Sequence, residues 1–205
     1  MNRTEGSSAL DLDKRYTLAD WRSWPDDERW ELINGVAYNM SPAPRVKHQD
    51  RAFELGRKLA NWLEGKPCKV FMAPLDVFLP KMETSTKKMD IESKDDVSGS
   101  DNNETVVQPD VLAVCDPDKI RDNGIHGAPD FVVEVLSDAT ANKDFGVKLE
   151  LYEKSGVREY WIIQPETATV FQYVLDGDTF APVREFRRGV PVPSAVFAGF
   201  TWMCA

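Results

Sequence analysis

Apolar positions along the chain follow two periods, short runs with the alternation of a strand and one long stretch with the spacing of a helix. Between about 45 and 65, Val46, Ala52, Phe53, Leu55, Leu59, Ala60, Trp62 and Leu63 share one broad face of a helical wheel. Asp50, Glu54, Arg57, Lys58 and Asn61 take the other face, which predicts an amphipathic helix packed on a core. Upstream, Thr17 in "TLADW" is placed to cap a short helix ending near Pro25. "RWELINGVAYNM" then sets two short apolar runs about Asn34-Gly35, a strong hairpin signal.

Downstream, "CKVFMAPLDVFLP", "TVVQPDVLAVC", "FVVEVL" and "VREYWIIQP" read as strands, 139–154 as a helix, and "ATVFQYVLDGDTFAPVREF" as a terminal hairpin turning at Asp176-Gly177. Strand 131–136 is apolar on both faces, the mark of a central strand covered on each side, and the helix after it leads to another strand as a crossover unit does. The prediction is an α/β sandwich with a central mixed β-sheet. It forms a single domain over 17–205 behind a flexible tail at 1–16. Residues 81–104 hold four Asp, three Glu and four Lys with few apolar anchors, and read as a mobile polar loop.

Composition narrows the class. A chain of 205 residues, 42% apolar, suffices for one well-cored domain. No apolar run is long enough to cross a bilayer and the N-terminal stretch lacks the core of a signal peptide, so the expectation is a cytoplasmic protein with no membrane partner. Cys68, Cys115 and Cys204 are odd in number and far apart, which predicts reduced thiols rather than a disulfide framework or a zinc site. The net charge of -9 argues against a chain-wide attraction for nucleic acid, although part of the acid lies in 81–104.

Three polar residues break the apolar pattern. Glu134 stands between Val133 and Val135 on a strand with no solvated face, so it requires a cation, a set of donors or a strand end opening on a cleft. A plain buried ion pair would serve equally. Asp110 follows Pro109 at the entry to "VLAV", and if the two strands pair, Asp110 and Glu134 converge. Two such acids repel unless a divalent ion sits between them; taken alone, Pro109-Asp110 is an ordinary turn. On the helix, Lys148 falls in the inward arc beside Leu151 and Tyr152, one turn after Asp144, while Lys143, Glu150, Glu153 and Lys154 fall on the polar face. An inward ammonium beside two acids suits phosphodiester hydrolysis, where it holds water or balances charge on phosphate. The alternative is a simple pair with Asp144 or a side chain reaching past the core edge. His48 lies in the apolar arc of its helix, and Glu31 and Asp76 are acids flanked by apolar residues, so all three are candidate accessory groups. No phosphate-binding glycine loop, nucleophile elbow or zinc-protease helix is present.

With those residues in view, the chain resembles the Uma-type restriction endonuclease family of the PD-(D/E)XK nuclease superfamily. The likeness runs from "WELINGVAYNMSPAPRVKHQ" through "QPDVLAVCD" to "PDFVVEVLSDATANKDFGVKLELYEKSGVREYWIIQP", roughly 17–175. It implies a restriction-endonuclease-like α/β/α core that binds Mg²⁺ or Mn²⁺ and cuts nucleic acid, DNA being the expected substrate. Asp110 matches the superfamily's first acid and Glu134 its second, the two metal ligands. The customary lysine two residues after that Glu is replaced by Leu136, and in this family a helix lysine, here Lys148, is taken to stand in. Glu31 and His48 fall on family motif positions, with Asp76, Asp144 and Tyr152 as further candidate accessory residues. The resulting expectation is a metal-dependent endonuclease. A catalytically degenerate nuclease-fold module that binds nucleic acid or a protein partner is the alternative. Nuclease folds often dimerise, so a homodimer is also entertained, with "VFAGFTWMCA" serving either an interface or the core.

Overall fold

The computed structural model describes residues 10–11, 14–25, 27–40, 43–80, 105–137 and 140–205. The polar segment 81–104 and most of the expected N-terminal tail lie outside them. Tyr16, at the end of that expected tail, is buried against Trp24 and Trp30, and its N–H donates to Gly35 O at 2.8 Å.

In chain order the elements are α1 (Leu18–Arg22), β1 (Trp30–Ile33), β2 (Val36–Asn39), α2 (Val46–Leu63), β3 (Lys69–Met72), β4 (Val77–Leu79), β5 (Thr105–Val107) and β6 (Val111–Val114). A 3-10 turn (Pro117–Lys119) leads to β7 (Ile120–Arg121), β8 (Gly124–His126), β9 (Phe131–Val135), α3 (Ala141–Asp144), α4 (Val147–Ser155) and β10 (Glu159–Gln164). The chain closes with β11 (Thr169–Asp176), β12 (Thr179–Phe180), β13 (Arg184–Phe186), β14 (Pro191–Pro193) and β15 (Thr201–Met203). Thr17 caps α1 with a capping box shared with Asp20. Asn34 and Gly35 carry the two positive φ angles, 50° and 78°, that the β1–β2 turn requires.

The main sheet runs β12-β11-β10-β9-β6-β3, with β13 beside β11; β9 and β10 are parallel and the remaining pairs antiparallel. It is the expected mixed sheet, with β9 at its centre. One face, carrying Val111, Ala113, Phe131, Val133 and Trp161, is covered by Leu55, Leu59 and Leu63 of α2 and by Phe197, Phe200 and Trp202. The apolar C-terminal segment is therefore spent on the core. The opposite face, carrying Leu112, Val132, Tyr160 and Ile162, packs against Leu151 and Tyr152 of α4 and against Ile33, Val77, Leu79 and Ile125 of a second sheet ordered β2-β1-β5-β4-β8-β7.

Several sequence expectations change on folding. "CKVFMAPLDVFLP" and "TVVQPDVLAVC" each divide between the two sheets, β3 from β4 across Ala73–Asp76 and β5 from β6 across Gln108–Asp110. A pleated run cannot serve two packed sheets without an interruption, and Pro74 and Pro109 each remove a ladder donor at the break. Val46 and Phe53, expected on the core face of α2, are 85% and 59% exposed, because the narrow buried stripe is formed by His48, Ala52, Leu55, Gly56, Leu59 and Leu63. The reduced-thiol expectation is overturned for two cysteines. Lys69 opposes Val114, so Cys68 and Cys115 face each other across β3 and β6 and form a disulfide closing a 47-residue separation. Cys204 is a buried free thiol.

Buried acid is not confined to the candidate site. Glu159 is fully buried and accepts from Trp161 Nε1 (2.7 Å), Gln172 Nε2 (2.6 Å), Ser194 Oγ (2.6 Å) and the backbone N–H groups of Ala195 and Val196 (both 3.0 Å). Five donors satisfy this carboxylate and tie the C-terminal segment to the sheet.

Candidate active site

The helical region after β9 is two helices rather than the one predicted. It breaks at Phe145-Gly146, where Gly146 adopts φ -111°, ψ -103°. A Cβ at Gly146 would lie 2.6 Å from Asn142 O, so the close approach of the two helices requires glycine. After the break, Lys148, Leu151 and Tyr152 stand at i, i+3 and i+4 on the inner face of α4, which points both polar groups at β9. Lys148 Nζ lies 2.7 Å from Glu134 Oε1, and Tyr152 OH donates to the same oxygen at 2.7 Å.

Glu31 reaches this point from the second sheet. It is fully buried on β1, with Oε1 2.7 Å from Lys148 Nζ and also accepting from Gln108 N at 2.9 Å. Its Oε2 takes Lys143 Nζ at 2.5 Å. Asp144 Oδ1 completes the surroundings of Lys148 at 3.9 Å. Asp110 sits one residue before β6, where the β6–β9 register sets it opposite Glu134. Its Oδ2 accepts from Val135 N at 2.7 Å and lies 3.1 Å from His48 Nε2. Glu31, His48, Asp110, Glu134, Asp144, Lys148 and Tyr152 thus come together at one end of β6 and β9. Asp76 does not join them. It accepts from Gln108 Nε2 at 2.8 Å and reaches the cluster only through Gln108, whose Oε1 is held by Arg29.

Glu31, Glu134, Asp144 and Asp110 outnumber Lys143 and Lys148, so the cluster favours keeping a proton. Burial, partly opposed by Lys148, pushes Glu134 up to about 8, with Asp144, Asp110 and Glu31 adding to the rise. Burial likewise lifts Asp144 to about 6 against the pull of Lys148. Burial works against Glu31 as well, yet Lys148 and Lys143 together hold it below the usual carboxylate range. Burial opposes the charge on Lys148 too, but Glu134, Glu31 and Asp144 outweigh it and fix the ammonium as charged. His48 would be lowered by burial, and its bond to Asp110 holds it above the ordinary imidazole value.

A cleft of about 790 Å³ opens beside this cluster, lined among others by Tyr38, His48, Leu136, Asn142, Lys143 and Val147. Sequence reasoning missed two members of the site. On one unbroken helix Lys143 falls on the solvent face; the break at Gly146 turns it toward Glu31. Gln108 is signalled only by its place before Pro109, whose missing ladder donor interrupts the strand.

Among the described residues, no group of three or more His, Cys, Asp and Glu side chains is arranged to hold a metal ion by itself. The donor set at the strand ends still fits a hard divalent cation. Asp110 and Glu134 are register neighbours, the bonds above engage Asp110 through Oδ2 and Glu134 through Oε1 only, and the cluster is over-acidic. Such an ion typically takes one or two carboxylates and fills its shell with water and phosphate oxygens.

Residues 18–205 match the Uma2 family model, described as "Putative restriction endonuclease". The chain belongs to the Uma2 family. That membership covers every element above and places the protein in a nuclease class. The fold agrees with a solved Anabaena variabilis ATCC 29413 structure described as "a putative nuclease belonging to DUF820", at TM-score 0.65 and 19% identity over 89% of this chain and 90% of that one. No curated protein matches the chain. Among the described residues of this Uma2 member, no helix is long and apolar enough to cross a membrane.

Proposed function

We propose that this Uma2 protein is a divalent-metal-dependent endonuclease that hydrolyses phosphodiester bonds in DNA. The observation that carries the reading is the pairing of Asp110 and Glu134 in register at the mouth of two adjacent strands, with a buried ammonium on Glu134. Asp110 and Glu134 would hold Mg²⁺ or Mn²⁺, which when bound polarises phosphate and acidifies a coordinated water. Lys148 and Tyr152 fix the Glu134 carboxylate through Oε1 and leave Oε2 for the ion. Glu31 anchors Lys148, so that the ammonium stays charged and in place. The i+2 position is filled by Leu136, which is buried, and Lys148 on α4 delivers to Glu134 the charge that a strand lysine would bring. The test is plasmid cleavage with Mn²⁺ by wild type and Asp110→Ala. Cleavage should vanish in the variant, and equal cleavage by both removes the assignment.

A second reading, a nuclease-fold module that binds without cutting, is favoured by one observation. Lys148 already sets a cation of the chain itself between Glu31 and Glu134. Mn²⁺ titration separates the two, since the nuclease should bind the ion at a stoichiometric site lost in Glu134→Gln and the module should show no such site.

A further inference from the structure

The site holds two lysines on one carboxylate, and their surroundings differ. Lys148 is 1% exposed, and its ammonium is 2.7 Å from Glu31 Oε1, 2.7 Å from Glu134 Oε1 and 3.9 Å from Asp144 Oδ1. An ammonium has three N–H donors, and three buried carboxylates surround this one. Glu31 and Glu134 take two of these donors, the third faces Asp144, and the side chain does not line the cleft.

Lys143 is placed otherwise. Its side chain is 10% exposed and lines the 790 Å³ cleft. Among the described residues its single close anionic partner is Glu31 Oε2 at 2.5 Å, with Met40 Sδ, a weak acceptor, at 3.6 Å and the Tyr38 ring 5.6 Å away. On a continuous helix, residues five apart diverge by about 140°. The break at Gly146 cancels that divergence and sets both ammonium groups on Glu31, one inside the core and one at the cleft wall. A further lysine of the cleft wall, Lys47, is already paired with Glu166 at 2.5 Å, in surroundings where both side chains are more than half exposed.

We propose that Lys143 is the residue whose ammonium contacts the phosphodiester in the cleft, and that Lys148 is a positioning residue that sets Glu134 and Glu31. The inference rests on the nuclease reading and names its substrate contact. Glu31 directs the Lys143 ammonium while leaving donors free, and a phosphate oxygen at the cleft wall is the acceptor that matches them.

The experiment uses the full chain with Lys143→Gln and Lys143→Arg. Binding of a short fluorescein-labelled DNA duplex is followed by anisotropy in EDTA at several NaCl concentrations, and Mn²⁺-dependent cleavage gives kcat and KM. Glutamine can still donate to Glu31 Oε2, so the fold should survive, and thermal melting checks this. Lys143→Gln should weaken duplex binding about ten-fold. It should also reduce the slope of log affinity against log salt by about 1. KM should rise more than kcat falls, and Lys143→Arg should recover most of the binding. Unchanged affinity and salt slope in a folded Lys143→Gln, with wild type binding and cutting normally, overturn the Lys143 assignment alone. A wild type that neither binds the duplex nor cuts it overturns the nuclease reading, and this inference with it.

Discussion

Replacing Lys148 by methionine keeps an unbranched side chain one atom shorter and removes the charge that holds three buried carboxylates together. Glu31, Glu134 and Asp144 are each at most 4% exposed, so solvent cannot take over from the ammonium. Removing one partner from a buried ion cluster typically costs about 3–5 kcal/mol. The carboxyls can escape by binding protons, which makes the loss depend on pH. For a carboxyl with an ordinary value of 4.5, holding a proton at pH 8 costs about 5 kcal/mol and at pH 5 about 1 kcal/mol. The sign follows from the raised folded-state values of Glu134 and Asp144. Their protonated form is fully stable below the unfolded pKa, and that stability is lost as pH rises toward the folded one. Lys148→Met should therefore lose about 3–5 kcal/mol at pH 8, a drop in Tm of roughly 6–20 °C, and only about 1 kcal/mol at pH 5. Calorimetry or circular dichroism melts of both proteins across this range measure it. A loss that is equal at the two pH values, or absent at pH 8, refutes the cluster as the source of the stability.

Further outcomes follow from other features. Divalent binding at Asp110 and Glu134 should release a proton, since Glu134 holds one up to about pH 8; Mn²⁺ affinity should climb by up to about ten-fold per pH unit from 6 to 8. Titration calorimetry in buffers of differing ionisation heat detects that proton, and buffer-independent heats contradict it. Gly146→Ala places a Cβ 2.6 Å from Asn142 O and should cost about 1–3 kcal/mol while shifting Lys143, read as a lowered Tm with weaker oligonucleotide binding. Glu159→Ala strips the acceptor from five donors and should destabilise by several kcal/mol. Mn²⁺ affinity should stay at the wild-type level in that variant under conditions where it is folded, because Glu159 serves the C-terminal segment. Cys115→Ser opens a 47-residue closure and should cost about 4 kcal/mol in the chain-entropy model; alkylation followed by intact-mass measurement shows whether the bond is present in the purified protein.

Hydrophobic period and turn chemistry are local properties, and they determined much of this protein. Thr17 as a cap, Asn34-Gly35 as a hairpin, α2, the doubly buried β9 and the crossover to β10 all follow from spacing within a few residues. Glu134 and Lys148 stood out for the same reason, as charges on faces that the period marks as buried, and Asp110 by its place after Pro109 at a strand entry. What spacing could not supply was the relation between distant segments. Gln108–Asp110 divides one apparent strand between two sheets, so that Gln108 N turns to Glu31 and Asp110 falls opposite Glu134. Gly146 divides one apparent helix, which moves Lys143 from the expected solvent face to the cleft. Cys68 and Cys115 become neighbours only through the register of β3 and β6. The sequence alone thus determined that Glu134 and Lys148 fall on faces that must be buried. Only tertiary structure decided which partners meet them, because a buried charge is stabilised by whatever the packing of separate sheets and helices brings within hydrogen-bond reach.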